Sequence, residues 1–141
     1  MKQQFNSPGV WELKKVMVVD DNPDQIFTIN QILKNFDKEY DIISANSAKN
    51  CVQLLEKNEI PDLILLDIMM PEINGLELAK ILKKNEVWKD IPIIFLTARS
   101  RTLAKTTGGG LGEDYIEKPF DTTDLIQRIE KIFRQSYDLK I

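Results

Sequence analysis

Residues 63–71, LILLDIMMP, place a carboxylate, Asp67, directly after four apolar residues. A continuous apolar run of this length is typical of a central parallel strand that is covered on both faces. A carboxylate in such a position is costly unless another group compensates its charge. The stretch therefore predicts a buried strand that ends at a functional acid, and other parts of the chain have to supply the compensating charge.

Four other apolar runs alternate with segments that have the apolar spacing of amphipathic helices. The five predicted strands are residues 16–19, 41–43, 63–66, 93–96 and 115–116. Strict alternation of strands and helices with short connections is typical of an α/β doubly wound sheet. We therefore expect a parallel five-stranded sheet with helices on both faces.

Four of the five predicted helices begin at residues that can cap a first turn, namely Asn22, Ser47, Asn74 and Asp121. The remaining helix falls in residues 99–114, where Gly108, Gly109 and Gly110 follow one another. Each glycine costs a helix ~1 kcal/mol relative to alanine. We expect a short or frayed helix there, followed by a mobile loop.

One domain is predicted over residues 15–135, preceded by an N-terminal extension, 1–14, and followed by a C-terminal tail, 136–141. The chain has a net charge of -3 and no dense run of basic residues, so direct binding to nucleic acid is not expected. No apolar segment approaches the ~20 residues of a membrane span, and no signal peptide is recognisable. We expect a cytoplasmic protein with no membrane association.

The chain contains no histidine and a single cysteine, Cys51, whose place in an amphipathic segment indicates a small core residue. Nucleophile pairs of the Ser-His or Cys-His type and histidine metal ligands are therefore excluded. Any chemistry has to use carboxylates, hydroxyls, lysines and a hard metal ion.

Ligands of open α/β sheets bind beyond the carboxyl ends of the strands. The residues at these ends are Asp20, Asp21, Asp67, Thr97 and Lys118. Clustered carboxylates repel one another unless a cation lies between them, and oxygen ligands alone favour Mg2+, with Mn2+ as a substitute. A hydroxyl and a fixed positive charge suit an incoming phosphoryl group, so the set predicts phosphoryl transfer to Asp67.

Four motifs in order resemble the signature set of response regulator receiver domains of two-component signalling, here over residues 15 to 135. They are VVDD at 18–21, LLDIMMPEINGLEL at 65–78, FLTA at 95–98 and DYIEKPF at 114–120. The resemblance implies a flavodoxin-like, three-layer fold with strand order 2-1-3-4-5. It also implies a signalling phosphoacceptor that is not a turnover enzyme and that receives phosphate from a sensor histidine kinase or a histidine phosphotransfer domain.

The resemblance assigns roles to individual residues. Asp67 is the implied phosphoacceptor, and Asp20, Asp21 and the backbone carbonyl of Met69 hold the metal with it. Thr97 is the implied switch hydroxyl, and Tyr115 the aromatic residue whose rotamer follows it.

Lys118 is implied to pair with the phosphoryl group, next to a cis bond to Pro119, and Gly75 matches the glycine of the loop after the phosphoacceptor. Met69 and Arg99 flank the site and are implied to tune the lifetime of the phosphate, which we expect to be moderately long. The simplest structural interpretation of the side chains of Met69, Met70 and Phe120 is that they belong to the core.

Alternatives stay open at this point. A pseudo-receiver would bind a partner without phosphorylation. A phosphatase of the haloacid dehalogenase type would need a second aspartate at position 69, which is methionine, and a flavodoxin-like cofactor binder would need a phosphate loop in place of Asp20 and Asp21. We expect a monomer or a weak phosphorylation-dependent dimer, and either a stand-alone receiver or a fragment of a longer regulator.

Overall fold

The structure, a computed structural model, describes residues 13–36, 40–98 and 110–140, with side chains up to residue 135. Five parallel strands form one sheet in the order β2-β1-β3-β4-β5. The strands are β1 (Lys14–Val19), β2 (Tyr40–Ala45), β3 (Leu63–Asp67), β4 (Ile93–Thr97) and β5 (Asp114–Glu117). The predicted doubly wound sheet and its strand order are confirmed.

The helices in the described part of the chain are α1 (Pro23–Lys34), α2 (Ala48–Glu56), α3 (Gly75–Lys83) and α4 (Thr122–Lys140). Their predicted caps are formed: the side chains of Asn22, Ser47 and Asn74 accept from Asp24, Asn50 and Glu77, and Asp121 accepts from Asp124. The helix predicted within residues 99–114 has most of its length, including Gly108 and Gly109, outside the described residues.

Two elements extend beyond the domain bounds predicted from the sequence, residues 15–135. Strand β1 begins at Lys14, within the predicted N-terminal extension, because it pairs with Tyr40 at the start of β2. Helix α4 continues to Lys140, whereas a tail is predicted from residue 136. Both elements therefore extend beyond the apolar pattern that suggested them.

The core consists of two apolar layers, one on each face of the sheet. One layer lies under α2 and α3, and the other lies under α1 and α4. Strands β3 and β4 are buried along their whole length, as their continuous apolar sequence predicts. Cys51 is a core residue as predicted, and burial raises the pKa of its thiol to about 12.

The three residues interpreted as core from the sequence have different environments. Met70 is buried and Phe120 packs partly against the core. The interpretation is wrong for Met69, whose side chain is 51% exposed, because it lies in the irregular loop between β3 and α3. None of the helices in the described residues is long and apolar enough to cross a membrane.

Candidate functional site

Asp20 follows the last residue of β1 and is fixed by the backbone on both sides. Its N–H donates to the Ala45 carbonyl at 3.1 Å, which continues the β1–β2 ladder by one residue. Its Oδ1 accepts from the N–H of Asn22 at 2.9 Å, and Asn22 caps α1. With 1% of its surface exposed, Asp20 is a buried carboxylate at the carboxyl edge of the sheet.

Asp67 is the last residue of β3 and is 5% exposed. Its Oδ1 accepts from the N–H of Met69 at 3.3 Å, and the loop closes where the N–H of Gly75 donates to the Ile68 carbonyl at 2.8 Å. A Cβ at Gly75 would lie 2.3 Å from the backbone oxygen of Asp67. The glycine is therefore required for the close approach of the loop to the strand that carries Asp67.

Lys118 reaches the same edge from β5. Its ammonium group lies 3.2 Å from Oδ2 of Asp20 and 3.4 Å from Oδ1 of Asp67. Its backbone N–H donates to the Thr97 carbonyl at 2.7 Å, and the bond between Lys118 and Pro119 is cis, as the resemblance implies. The lysine supplies part of the compensating charge that Asp67 requires.

The electrostatic balance of this site is incomplete. Burial, opposed by Lys118 and reinforced by the charge of Asp20, raises the pKa of Asp67 to about 6. The hydrogen bond from Met69 lowers the pKa but does not offset the burial. One lysine shared between two buried carboxylates leaves negative charge uncompensated.

The third carboxylate, Asp21, is exposed, and ligand oxygens of Asp20, Asp21 and Asp67 all lie within 4.8 Å of one another. Three hard oxygen donors with no thiolate or imidazole among them fit Mg2+ or Mn2+. A divalent cation here would also neutralise the negative charge of the carboxylates that Lys118 does not compensate. The residues present therefore fit the metal that the sequence predicts.

Comparison with known proteins gives a consistent result. The sequence model of the response regulator receiver domain matches residues 16–130. The chain belongs to the response regulator receiver domain family.

Solved structures of receiver domains have the same fold. A putative response regulator from Chloroflexus aurantiacus is 28% identical, with a TM-score of 0.80, over 87% of this chain and 99% of that one. The receiver domain of the Francisella response regulator 1452 is 31% identical, with a TM-score of 0.77, over 87% and 98%. A signal receiver domain of a histidine kinase from Syntrophus aciditrophicus is 27% identical, with a TM-score of 0.77, over 86% and 91%.

The receiver site brings together the carboxylates and the lysine that the sequence singles out. Thr97 is the last residue of β4 and is fully buried. Met69 lies beside Asp67, and about half of its surface is exposed to solvent. Arg99, the other predicted flanking residue, lies outside the described residues.

Tyr115 is 2% exposed and its ring stacks on Phe95, with 5.0 Å between ring centroids and an interplanar angle of 26°. Phe95 is missed at the sequence level, because it reads as one of several apolar residues of a buried strand. Its partnership with Tyr115 depends on the parallel register in which these two residues lie opposite each other. The sequence signal that could have found it is the position of Phe95 two residues before Thr97, on the same face of the strand.

Proposed function

We propose that this receiver domain is a phosphoacceptor switch that takes a phosphoryl group onto Asp67. The observation that supports the proposal best is the pairing of Asp67 with Lys118 at 3.4 Å inside a group of three carboxylates. A structural ion pair needs one acid and one base. The additional carboxylates are explained if a divalent cation binds there. The lysine is explained if it contacts the incoming phosphoryl group.

In the proposed reaction a carboxylate oxygen of Asp67 attacks phosphorus on a partner's phosphohistidine. The new O–P bond forms as the P–N bond breaks. The electron pair of the broken P–N bond goes to the imidazole nitrogen, which takes a proton from solvent. Mg2+, held by Asp20, Asp21, Asp67 and the Met69 carbonyl, would neutralise charge on the transferring phosphoryl oxygens. The reactive form of Asp67 is the carboxylate, and a bound divalent cation would favour that form.

Lys118 and Thr97 act on the phosphoryl group after it arrives. The ammonium of Lys118 can exchange its contact with Asp67 for one with a phosphoryl oxygen, since both lie at the same edge of the sheet. The hydroxyl of Thr97, at the end of the adjacent strand, is the proposed donor to another oxygen. Both groups stabilise a negative product, which is why phosphorylation would favour one arrangement of the domain over another.

The same geometry favours self-modification over turnover of a separate substrate. Position 69, where a haloacid dehalogenase phosphatase would need its second aspartate, carries an exposed methionine. The chain would therefore catalyse only its own phosphorylation and the slow hydrolysis of the phosphorylated Asp67. The acid set and Lys118 also favour a phosphorylated receiver over a pseudo-receiver.

The proposed donor is a sensor histidine kinase or a histidine phosphotransfer domain, and a cytoplasmic location with available Mg2+ belongs to the same proposal. The exposed apolar side chain of Met69 beside Asp67 would hinder an attacking water. We therefore expect a moderately long-lived phosphoprotein. Loss of the label within seconds in Mg2+ buffer would contradict that expectation.

The test is a mass measurement after incubation with acetyl phosphate and Mg2+. We expect a gain of one phosphoryl group in the unmodified protein and none in Asp67→Asn. Asp62→Asn is the matched control, because Asp62 lies at the opposite edge of the sheet and bonds the backbone of β1. A chain that gains no mass, or an Asp67→Asn chain that still gains it, would refute the proposal.

A further inference from the structure

Exposed apolar side chains are concentrated in one part of the molecule. Of the six large hydrophobic residues that are exposed in the described part of the chain, four are Met69, Ile73, Ile81 and Val87. They belong to the loop between β3 and α3, to α3 itself and to the turn that follows it. Single exposed apolar residues are ordinary on a protein surface, whereas a local concentration of them indicates a contact surface.

The outer side of α3 combines apolar and basic side chains. Lys80, Ile81 and Lys84 are all exposed, and Ile81 has 42% of its surface in solvent. Lys84 caps the helix and lies four residues after Lys80 and three after Ile81, spacings that place the three side chains next to one another. The core-facing side of the helix is formed by other residues, so the fold does not require an isoleucine between these lysines.

Neither Lys80 nor Lys84 has an acidic partner within ion-pair distance among the described residues. The acids nearest to them in the chain are engaged elsewhere: Glu77 completes the capping box of α3, and Glu86 pairs with Lys89 at 2.9 Å. Like charges four residues apart on a helix repel each other. The helix macrodipole favours lysines near this end of α3, but it does not account for the exposed isoleucine between them.

Val87 is the most exposed of the six apolar residues, at 72%, and lies in a turn that is fixed by several hydrogen bonds. Oδ1 of Asn85 accepts from the N–H of Val87 at 2.8 Å and from that of Trp88 at 3.1 Å, and the Trp88 side chain packs partly against the core. The ammonium group of Lys83 donates to the Lys89 carbonyl at 3.1 Å. Because the turn is already ordered, contact with Val87 would carry little ordering cost.

We propose that Lys80, Ile81, Lys84 and Val87, which we call the α3 face, form a docking surface for an acidic amphipathic helix of a partner protein. Ile81 and Val87 would contact the apolar side of that helix, and the two lysines would pair with carboxylates beside it. The chain as a whole has a net charge of -3, so an acidic partner needs a local basic surface to bind. The inference goes beyond the proposed function, which concerns the opposite end of α3.

The position of α3 leaves the carboxyl edge of the sheet free when a partner is docked. The helix begins at Gly75, whose N–H donates to the Ile68 carbonyl at 2.8 Å beside Asp67, and it ends towards the amino edge, where β4 starts at Ile93. The α3 face lies at the later end of the helix. A partner helix could therefore be bound there while a phosphoryl donor occupies the carboxyl edge.

The first experiment uses a synthetic amphipathic helix of ~18 residues, about five turns, with leucine on one side and glutamate on the other. A second peptide has lysine in place of every glutamate, and a third has the composition of the first in an order without an apolar stripe. Each is titrated into the full, isotope-labelled chain, and amide chemical shifts are followed. We expect the acidic helix to shift the amides of the α3 face and the other two peptides to bind about tenfold more weakly.

Two results of this titration would overturn the proposal. One is the absence of shifts on the α3 face with the acidic helix. The other is equal binding of the lysine peptide or of the peptide without an apolar stripe, which would show that neither charge nor amphipathic order matters.

Substitution of the apolar residues tests their part in the contact. Ile81→Ser and Val87→Ser should each lower the affinity for the acidic helix about tenfold, because each removes one apolar contact. Phe27→Ser is the matched control, since Phe27 is 64% exposed but lies on α1, and its affinity should not change. An equal loss in Phe27→Ser and Ile81→Ser would show that the peptide has no preference for α3.

Substitution of the lysines tests the charge. Lys80→Gln and Lys84→Gln should each lower the affinity about threefold and weaken its dependence on salt. Lys34→Gln is the control, since Lys34 is exposed at the end of α1. Equal losses in Lys84→Gln and Lys34→Gln would show that only the net charge of the chain acts, which would contradict local recognition.

A second copy of this chain is the other occupant to distinguish. We expect sedimentation velocity of the protein without peptide to be the same for Ile81→Ser and the unmodified chain. A dimer that Ile81→Ser converts into a monomer would identify the occupant as a second copy and overturn the proposal. None of these measurements requires phosphorylation, so a protein that binds the acidic helix but gains no phosphoryl group would refute the proposed function alone.

Discussion

Carboxylates stand at both edges of the same sheet, but their surroundings differ. At the amino edge, Asp62 and Glu113 precede β3 and β5. Each accepts a hydrogen bond of 2.7 Å from a backbone N–H of the neighbouring strand and donates its own N–H to the carbonyl of the same residue. These acids extend the strand ladders by one more pair of bonds.

At the carboxyl edge the acids face one another instead. Asp20 and Asp67 share Lys118, and the only backbone donor to Asp67 among the described residues is the N–H of Met69 at 3.3 Å. Residue type alone therefore does not separate a structural carboxylate from one that is available to a ligand. What separates them is whether nearby donors satisfy the charge.

The largest effect on the fold is expected where the loop after Asp67 touches its strand. In Gly75→Ala the new methyl would meet backbone atoms, which cannot move cheaply, so we expect a loss of about 3 kcal/mol in the free energy of unfolding. Gly110→Ala is the control, because a Cβ there meets nothing within 4 Å. Urea unfolding measures both, and similar losses in the two variants would contradict the close approach.

Removal of one acid from the carboxyl edge should weaken metal binding, and removal of one from the amino edge should not. For Asp20→Asn we expect roughly a 50-fold lower affinity for Mg2+, since a charged ligand is lost from a hard-ion site. Glu113→Gln should bind Mg2+ as the unmodified protein does. Isothermal titration calorimetry distinguishes them, and an unaffected Asp20→Asn would show that the metal does not bind there.

Asp67→Asn should stabilise the metal-free protein in neutral and alkaline solution. The pKa of Asp67 rises from 3.8 in the unfolded chain to about 6 in the folded one, so the folded state binds the proton more tightly. Stability due to this group is greatest below about pH 4 and is lost as the pH rises towards 6. The asparagine side chain stays neutral, so we expect a gain of ~1.5 kcal/mol at pH 8 that disappears by pH 4.

The matched variant at the amino edge should have the opposite effect. Asp62→Ala removes the acceptor for the Lys15 N–H and should cost ~1 kcal/mol at pH 8. Thermal unfolding in EDTA measures both substitutions. Destabilisation by Asp67→Asn at pH 8 would show that the negative charge at the carboxyl edge is fully compensated.

A smaller effect is expected from backbone strain in the loop between β3 and α3. Glu72 has φ 66°, in the left-handed region, whereas the other described non-glycine residue with positive φ is Asn58, of a type that tolerates it. Glu72→Asn should therefore stabilise the fold by ~0.5 kcal/mol. Chemical denaturation would measure the gain, and Glu72→Gln, which keeps the size of the side chain, controls for the lost charge.

The parallel sheet and the grouping of Asp20, Asp67 and Lys118 could be predicted because each rests on a local pattern. An apolar run defines a strand, and the residue that follows it lies at the edge where ligands bind. The strand order and the cis bond at Lys118 followed from the family resemblance. These inferences need no knowledge of which side chains touch.

What could not be predicted depends on contacts between distant residues or on one backbone angle. The stack of Tyr115 on Phe95 requires the register of β4 and β5, and the space for the Phe95 ring requires Gly112, which has no Cβ. The exposure of Met69 depends on the course of a loop, and an apolar residue next to a buried strand reads as core. The guanidinium of Arg128 binds carboxylates 14 and 4 positions away in the chain, of which only the nearer follows from helix geometry.

The ion pair between Lys118 and Asp20 joins residues 98 positions apart in the chain. The same ammonium contacts Asp67, which a third strand supplies, so the site is assembled only when β1, β3 and β5 have all reached their places. A chain that is still incompletely folded lacks the lysine or one of the acids. Under the proposed function, competence to receive a phosphoryl group would therefore depend on completion of folding.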